Sequence, residues 1–113
     1  MKNTVTIKKN RDFLRLYKKG TFFVGRRMVI YIKQNRSDIN RIGITTVRNF
    51  GRSVDRNRVR RLIKENYRIL EKDIKIGMDI VVSARKSDGK IIPDFREIEK
   101  EMKYLFRKLD VLK

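Results

Sequence analysis

"GRSVDRNRVRRLIKENYR" runs from Gly51 to Arg68, and its reading decides the fold. Val59, Leu62, Ile63 and Leu70 recur on one stripe, with Asn66 or Tyr67 between them, which is the 3.6-residue period of an amphipathic helix. Arg56, Arg60 and Lys64 line up at i, i+4 and i+8, flanked by Asn57, Arg61 and Arg68, so the same helix carries a nearly continuous basic face. On this reading Arg56 and Arg58 fall in the first turn. There the positive end of the helix dipole disfavours a cation by about a few tenths of a kcal/mol. An external polyanion at the helix start would resolve the conflict, because the free backbone N–H groups at that end also face phosphates.

A solvated helical face normally mixes signs at i, i+4 spacing. Here Arg52, Arg56, Arg58, Arg60, Arg61, Lys64 and Arg68 stand against Asp55 and Glu65 alone. The excess of arginine over lysine suits phosphate and base-edge contact, since the guanidinium is a planar fork of five donors.

Working outward, Asn10–Lys19 reads as a first helix, with Asn10 as cap, Phe13, Leu14, Leu16 and Tyr17 as apolar surface, and Gly20 at a left-handed C-cap. Met28, Ile30 and Ile32 alternate with Val29 and Tyr31, which reads as a strand. "NRSDIN" (Asn35–Asn40) is turn chemistry, and "RIGITTV" (Arg41–Val47) is expected to pair with the preceding strand as a hairpin. "GMDIVVSAR" (Gly77–Arg85) reads as a buried strand, and "SDGK" (Ser87–Lys90) as a turn. Pro93 then precedes Asp94 as N-cap and Glu97 as its capping-box partner, opening a last helix along which Phe95, Ile98, Met102, Leu105, Phe106 and Leu109 recur at helical spacing, with Phe95, Met102 and Phe106 read as core. The order is α-β-β-α-β-α, with room for one more short strand at Phe22–Val24 or near Thr45–Arg48. The class is α+β: a two-layer α-β sandwich on a small, mostly antiparallel sheet of about four strands.

The 113 residues are one domain's worth, so residues 1–113 are expected to form a single domain. Lys and Arg number 31 against 13 Asp and Glu, a net charge of +18 that calls for a polyanionic partner. A membrane is the weaker candidate: the longest apolar stretch, "MVIYI" (Met28–Ile32), is far short of the ~20 residues of a spanning helix. "MKNTVTIKKN" lacks the apolar region of a secretory signal, so a cytoplasmic location is expected. Cysteine and histidine are both absent, which excludes Cys/His zinc sites and any histidine general base. A protein nuclease would have to work through Asp/Glu-bound metal, and the acids are scattered in a basic field.

Charge alone does not separate RNA from DNA, although no helix-turn-helix pair or zipper-linked basic region is present. A resemblance separates them. "SVDRNRVRRLIKENYR" resembles the arginine-asparagine-arginine signature of the protein subunit of bacterial ribonuclease P, with Gly51 and Arg56–Asn57–Arg58 matching in kind and spacing. "RDFLRLYKKG" (Arg11–Gly20), "FVGRRMVIYI" (Phe23–Ile32), "RIGITT" (Arg41–Thr46) and "IVVSARK" (Ile80–Lys86) fit the same family in the same order. The loop "VRNFG" (Val47–Gly51) departs from the family's usual two lysines and aliphatic residue by carrying Asn49 and Phe50.

The resemblance implies a left-handed βαβ crossover and a division of labour. A catalytic RNA with bound Mg²⁺ removes the 5′ leader of precursor tRNA, and the protein, not catalytic alone, helps to bind leader and metal ions. Carried over to this chain, Arg48, Arg52, Arg56, Asn57, Arg58, Arg60, Arg61 and Lys64 would face the catalytic RNA. Phe13, Tyr17 and Tyr31 would line a cleft for the single-stranded leader, although Phe13 taken alone is better read as core. The implied partners are ribonuclease P RNA and precursor tRNA, with no membrane, no DNA, no protein metal site, and one monomer per RNA. The other readings are a ribosomal-type structural RNA binder, a DNA-binding regulator and a metal-dependent nuclease.

Overall fold

The strand at the centre of the sheet is the last one in the chain. A computed structural model describes residues 3–86 and 92–113; the expected turn at Ser87–Lys90 lies outside the described residues. The elements are β1 (Thr4–Thr6), α1 (Asn10–Lys19), β2 (Thr21–Val24), β3 (Met28–Gln34), β4 (Asn40–Thr46), α2 (Ser53–Leu70), β5 (Met78–Ala84) and α3 (Phe95–Lys108), with a 3-10 turn at Glu71–Asp73. The sheet has five strands in the order β1-β4-β5-β3-β2. The α+β class therefore stands. The sheet is mixed, with β1–β4 and β4–β5 parallel and β2–β3 and β3–β5 antiparallel.

This overturns the expected hairpin between β3 and β4. β5 lies between them, pairing Ile30 with its Val82 on one side and Ile44 with the same Val82 on the other. The reason is burial: Ile80, Val82 and Ala84 face one layer while Val81 faces the other, and all four are fully buried. A strand apolar on both faces belongs in the sheet interior, where both sides are covered and its backbone is paired at both edges. Of the two short strands beyond the expected set, β2 covers the anticipated Phe22–Val24 stretch, whereas β1, a short β-branched run, was not among the expected elements.

Residues 28, 30 and 32 of β3, Ile42 of β4 and Ile80, Val82 and Ala84 of β5 form the main core with α2 (Val59, Ile63, Tyr67, Leu70) and α3 (Ile98, Met102, Leu105, Phe106). The opposite face carries α1 alone, through Leu16 on Val81, with Ile7, Phe13 and Tyr31 packed around them. Helices thus cover both faces. β1–α1–β2 and β4–α2–β5 each join strands that run in the same direction, and both step from the β1 side toward the β2 side. Because they do so on opposite faces, they have opposite hands, and one of them breaks the right-handed rule for such crossovers. The left-handed βαβ crossover that the resemblance implies is thus one of these two.

Several local details differ from expectation. α1 begins at Asn10 itself, so Lys9 is the N-cap, without a side-chain cap. Gly20 has φ −76°, outside the left-handed region. A Cβ there would lie 2.6 Å from the Leu16 carbonyl oxygen and 2.8 Å from that of Ile32, so close approach is what requires glycine. α3 is capped as expected: the Glu97 N–H donates to Asp94 Oδ1 at 2.8 Å and the Asp94 N–H to Glu97 Oε1 at 3.0 Å. Met102 and Phe106 are buried as expected, whereas Phe95 is only half-buried.

Candidate RNA interface

The conflict at the start of α2 is partly removed by where the helix begins. Ser53 is the first helical residue, which places Arg56 at the fourth position and Arg58 at the sixth, past the first turn. The acid belonging to that turn is Asp55, whose Oδ2 accepts from the Arg52 N–H at 3.2 Å and lies 3.6 Å from Arg52 Nε. Arg56 is half-buried and works inside the protein: Nη1 donates to the Gly51 carbonyl at 2.7 Å and Nη2 to Ser53 Oγ at 3.1 Å. Its guanidinium ties the loop to the helix rather than projecting freely. Gly51 itself has φ 152°.

Asn57, Arg60, Arg61 and Lys64 come together. With Thr6, Ile42, Ile44 and Tyr67 they line a 450 Å³ groove between α2 and the β1–β4 side of the sheet. Its floor is apolar and its rim cationic. Arg60 Nη2 donates to Asn57 Oδ1 at 2.7 Å, which holds one guanidinium along the rim. Tyr67 closes the floor, fully buried, with its hydroxyl 2.9 Å from Thr4 Oγ1; burial pushes its phenol up from the ordinary value, outweighing that hydrogen bond. Arg58 is exposed but does not line the groove, because two residues of helix turn it about 200° from Arg60. Arg48 and Arg52 are exposed on the loop and at the helix cap. The eight expected contacts therefore divide into four on one groove, three exposed around it and one structural arginine.

On the other face, Phe13, Tyr17 and Tyr31 are brought together as expected. Ring centroids are 6.5 Å apart for Phe13–Tyr17 and 4.9 Å for Tyr17–Tyr31, the latter edge-on. Phe22 extends the row at 5.6 Å from Tyr31. The row crosses the sheet from Phe13 over β4, by way of Tyr31 on β3, to Phe22 on the β2 edge. Phe13 is half-buried on Gly43, where a Cβ would come within 2.7 Å of its ring, so it packs on the sheet while standing at one end of the row. The Tyr17 phenol is pushed up by burial and by Tyr31 beside it. Phe22 escaped sequence reading because only its register with Tyr31 places it on this face. The groove floor of Ile42, Ile44 and Tyr67 escaped for the same kind of reason.

Beneath the row, Arg41 holds Asp79 through Nε at 2.8 Å and Nη2 at 2.6 Å, and reaches Asp12 at 3.4 Å. Burial alone would raise the Asp79 carboxyl. The hydrogen bonds from Arg41 and Asn35, with the charge of Arg41, outweigh it and hold the group below the ordinary carboxylate range. Arg41 is correspondingly raised, chiefly by its hydrogen bond to Asp79. Among the described residues, no group of three or more His, Cys, Asp or Glu is placed to hold a metal ion.

The comparisons agree with this geometry. The family model described as Ribonuclease P matches residues 1–110. The chain is 42% identical over 106 residues to the ribonuclease P protein component of Clostridium botulinum (strain Loch Maree / Type A3), covering 93% of this chain and 94% of that protein. It is 43% identical over 109 residues to that of Clostridioides difficile (strain 630), covering 96% and 94%. Among solved structures, the Staphylococcus aureus RNase P protein superposes with a TM-score of 0.83 at 32% identity, covering 96% of this chain and 97% of that one. The Thermotoga maritima RNase P protein superposes at 0.80 and 31% identity, covering 90% and 96%. A family match over nearly the whole length, together with the same fold, shows that the chain belongs to the ribonuclease P protein family.

Proposed function

We propose that this chain divides RNA binding between the two faces of its sheet, with the α2 groove holding the catalytic RNA and the α1 aromatic row holding the 5′ leader of precursor tRNA. Family membership makes the chain a protein subunit of the ribonuclease P endoribonuclease, which acts in tRNA 5′ processing and has an RNA partner. It also selects among the readings that composition left open.

The observation that carries the division is the contrast in chemistry. Asn57, Arg60, Arg61 and Lys64 surround a concave floor and suit a folded RNA's phosphates. Phe13, Tyr17, Tyr31 and Phe22 offer ring faces and edges to unpaired bases of any sequence. On this reading Mg²⁺ is bound mainly by the RNA, whose phosphates suit that ion, and the protein contributes contacts to RNA. One protein per RNA and a cytoplasmic location complete the proposal; no helix of the described residues is long and apolar enough to cross a membrane.

The test is cleavage of precursor tRNA by a bacterial ribonuclease P RNA at low Mg²⁺, with and without the full chain, and with the chain alone. Rescue of cleavage at the mature 5′ end, with no cleavage by the protein alone, is the expected result. Unchanged cleavage despite tight RNA binding would overturn the proposal.

A further inference from the structure

Phe22 and Phe23 are neighbours on β2, and the alternation of the strand sends them to opposite faces of the sheet. Phe22, 55% exposed, ends the aromatic row described above. Phe23, 37% exposed, faces α3, where its ring meets Tyr104 edge-on at 6.3 Å. Tyr104 is itself 50% exposed, and the Lys108 ammonium sits 5.5 Å from its ring centre.

The core does not account for this pair. α3 buries Ile98, Met102, Leu105 and Phe106 on its inner side, and Tyr104 stands on the outer flank. Arg26 and Lys100 are exposed at the same concavity. Its two acids face Arg27, which donates to Glu97 at 2.8 Å and to Glu101 at 3.1 Å from the side chain and 2.7 Å from the backbone. The cations that remain therefore point to an anionic occupant. A net charge of +18 disfavours a second copy of this chain and favours a polyanion. Exposed rings ringed by cations are the chemistry of a single-strand platform, with bases stacking and phosphates neutralised.

We propose that single-stranded RNA leaving the α1 row turns over the β2 edge and stacks on Phe23 and Tyr104, with Lys108, Lys100 and Arg26 meeting its phosphates. The inference rests on reading the α1 row as the leader site and extends that site from one face of the sheet to two. A leader long enough to round the edge gains contacts that a short leader never reaches.

The experiment uses the full chain reconstituted with a bacterial ribonuclease P RNA, and precursor tRNAs with leaders of about 4 and about 12 nucleotides, within the span of single-strand sites. The wild type should bind the long leader more tightly. Tyr104→Ala should lower long-leader affinity about 5-fold or more, the loss of one stacked base, and move short-leader affinity less than about twofold. Tyr104→Phe, which keeps the ring, should retain long-leader affinity. Equal long-leader binding by wild type and Tyr104→Ala overturns the proposal, as does an equal loss with both leaders. A protein dimer that Tyr104→Ala dissociates would assign the patch to a second copy and overturn it too. Tyr31→Ala separates the two readings. If it weakens both leaders while Tyr104→Ala is silent, only the extension fails; if Tyr31→Ala is silent as well, the leader site fails with it.

Discussion

The α2 groove and the α1 face use the same residue, arginine, in opposite ways. Around the groove, Arg48, Arg52, Arg58 and Arg61 are exposed, and Arg60 is held only by its neighbour Asn57. Under the aromatic row, Arg41 is committed to Asp79 and Asp12, and its pairing fixes β4 to β5 and to α1. A guanidinium with internal partners on several elements supports the fold, and one without them is available to a phosphate. The difference teaches that a count of cations overstates an interface: Arg56, inside the arginine-rich signature, belongs with Arg41.

The largest effect that can break this comparison is salt. If the groove and the exposed arginines around it together neutralise ~5–8 phosphates, the log–log slope of RNA affinity against salt should be near −4 to −7, a loss of about 10²–10⁴ between ~50 and ~200 mM. The increment contributed by the leader, measured as precursor minus leaderless tRNA, should change far less. An equally steep leader increment would erase the distinction between the two faces.

Next comes Arg60→Ala, expected to weaken catalytic-RNA binding about tenfold, the cost of a charge-assisted hydrogen bond, with stability moved by no more than about 0.5 kcal/mol. A filter-binding series with a urea melt checks both halves, and unfolding of the variant would mean that the side chain supports α2. Arg56→Ala should reverse the pattern, costing more stability than Arg60→Ala because the Gly51 carbonyl and Ser53 hydroxyl lose their donor. Tyr31→Ala should lower affinity for precursor tRNA about 5-fold or more and leave leaderless tRNA untouched, measured by competition binding.

The smallest effect lies in acid. The Asp79 carboxyl is depressed in the folded state, so its contribution is complete above the unfolded value of about 3.9 and is lost as pH falls through the lower folded value. Urea unfolding from pH 5 down to pH 2 should show Asp79→Asn flattening that decline. An unchanged slope would remove the Arg41–Asp79 pair from the account of this face.

Local periodicity made much of the fold legible. α1 and α3 fall where their apolar spacing and, for α3, its capping residues place them, and α2 follows the stripe of Val59 and Ile63. Strand order was not legible, because pairing is a long-range property: nothing near Gln34 or Asn40 announces that residues 78–84 will come between them. The same blindness hid Phe22, whose neighbour Tyr31 is set by register, and Thr6, whose short strand is defined by pairing to β4. The basic face was visible as a pattern, but its division into groove, rim and structural arginine needed the helix start at Ser53 and the partners of each guanidinium.

The central position of β5 has a consequence for how the chain comes to be folded. During synthesis β3 and β4 emerge first, yet neither can complete its hydrogen bonding until residues 78–84 have been made. Most of the sheet must therefore close in one late event of high sequence separation, which slows folding and leaves open strand edges until then. Nascent chains halted before Met78 should behave as aggregation-prone and protease-sensitive, whereas chains extended past Ala84 acquire the strand that closes the sheet. Both helical layers, α1 on one face and α2 with α3 on the other, thus wait for the strand that is made last among these five.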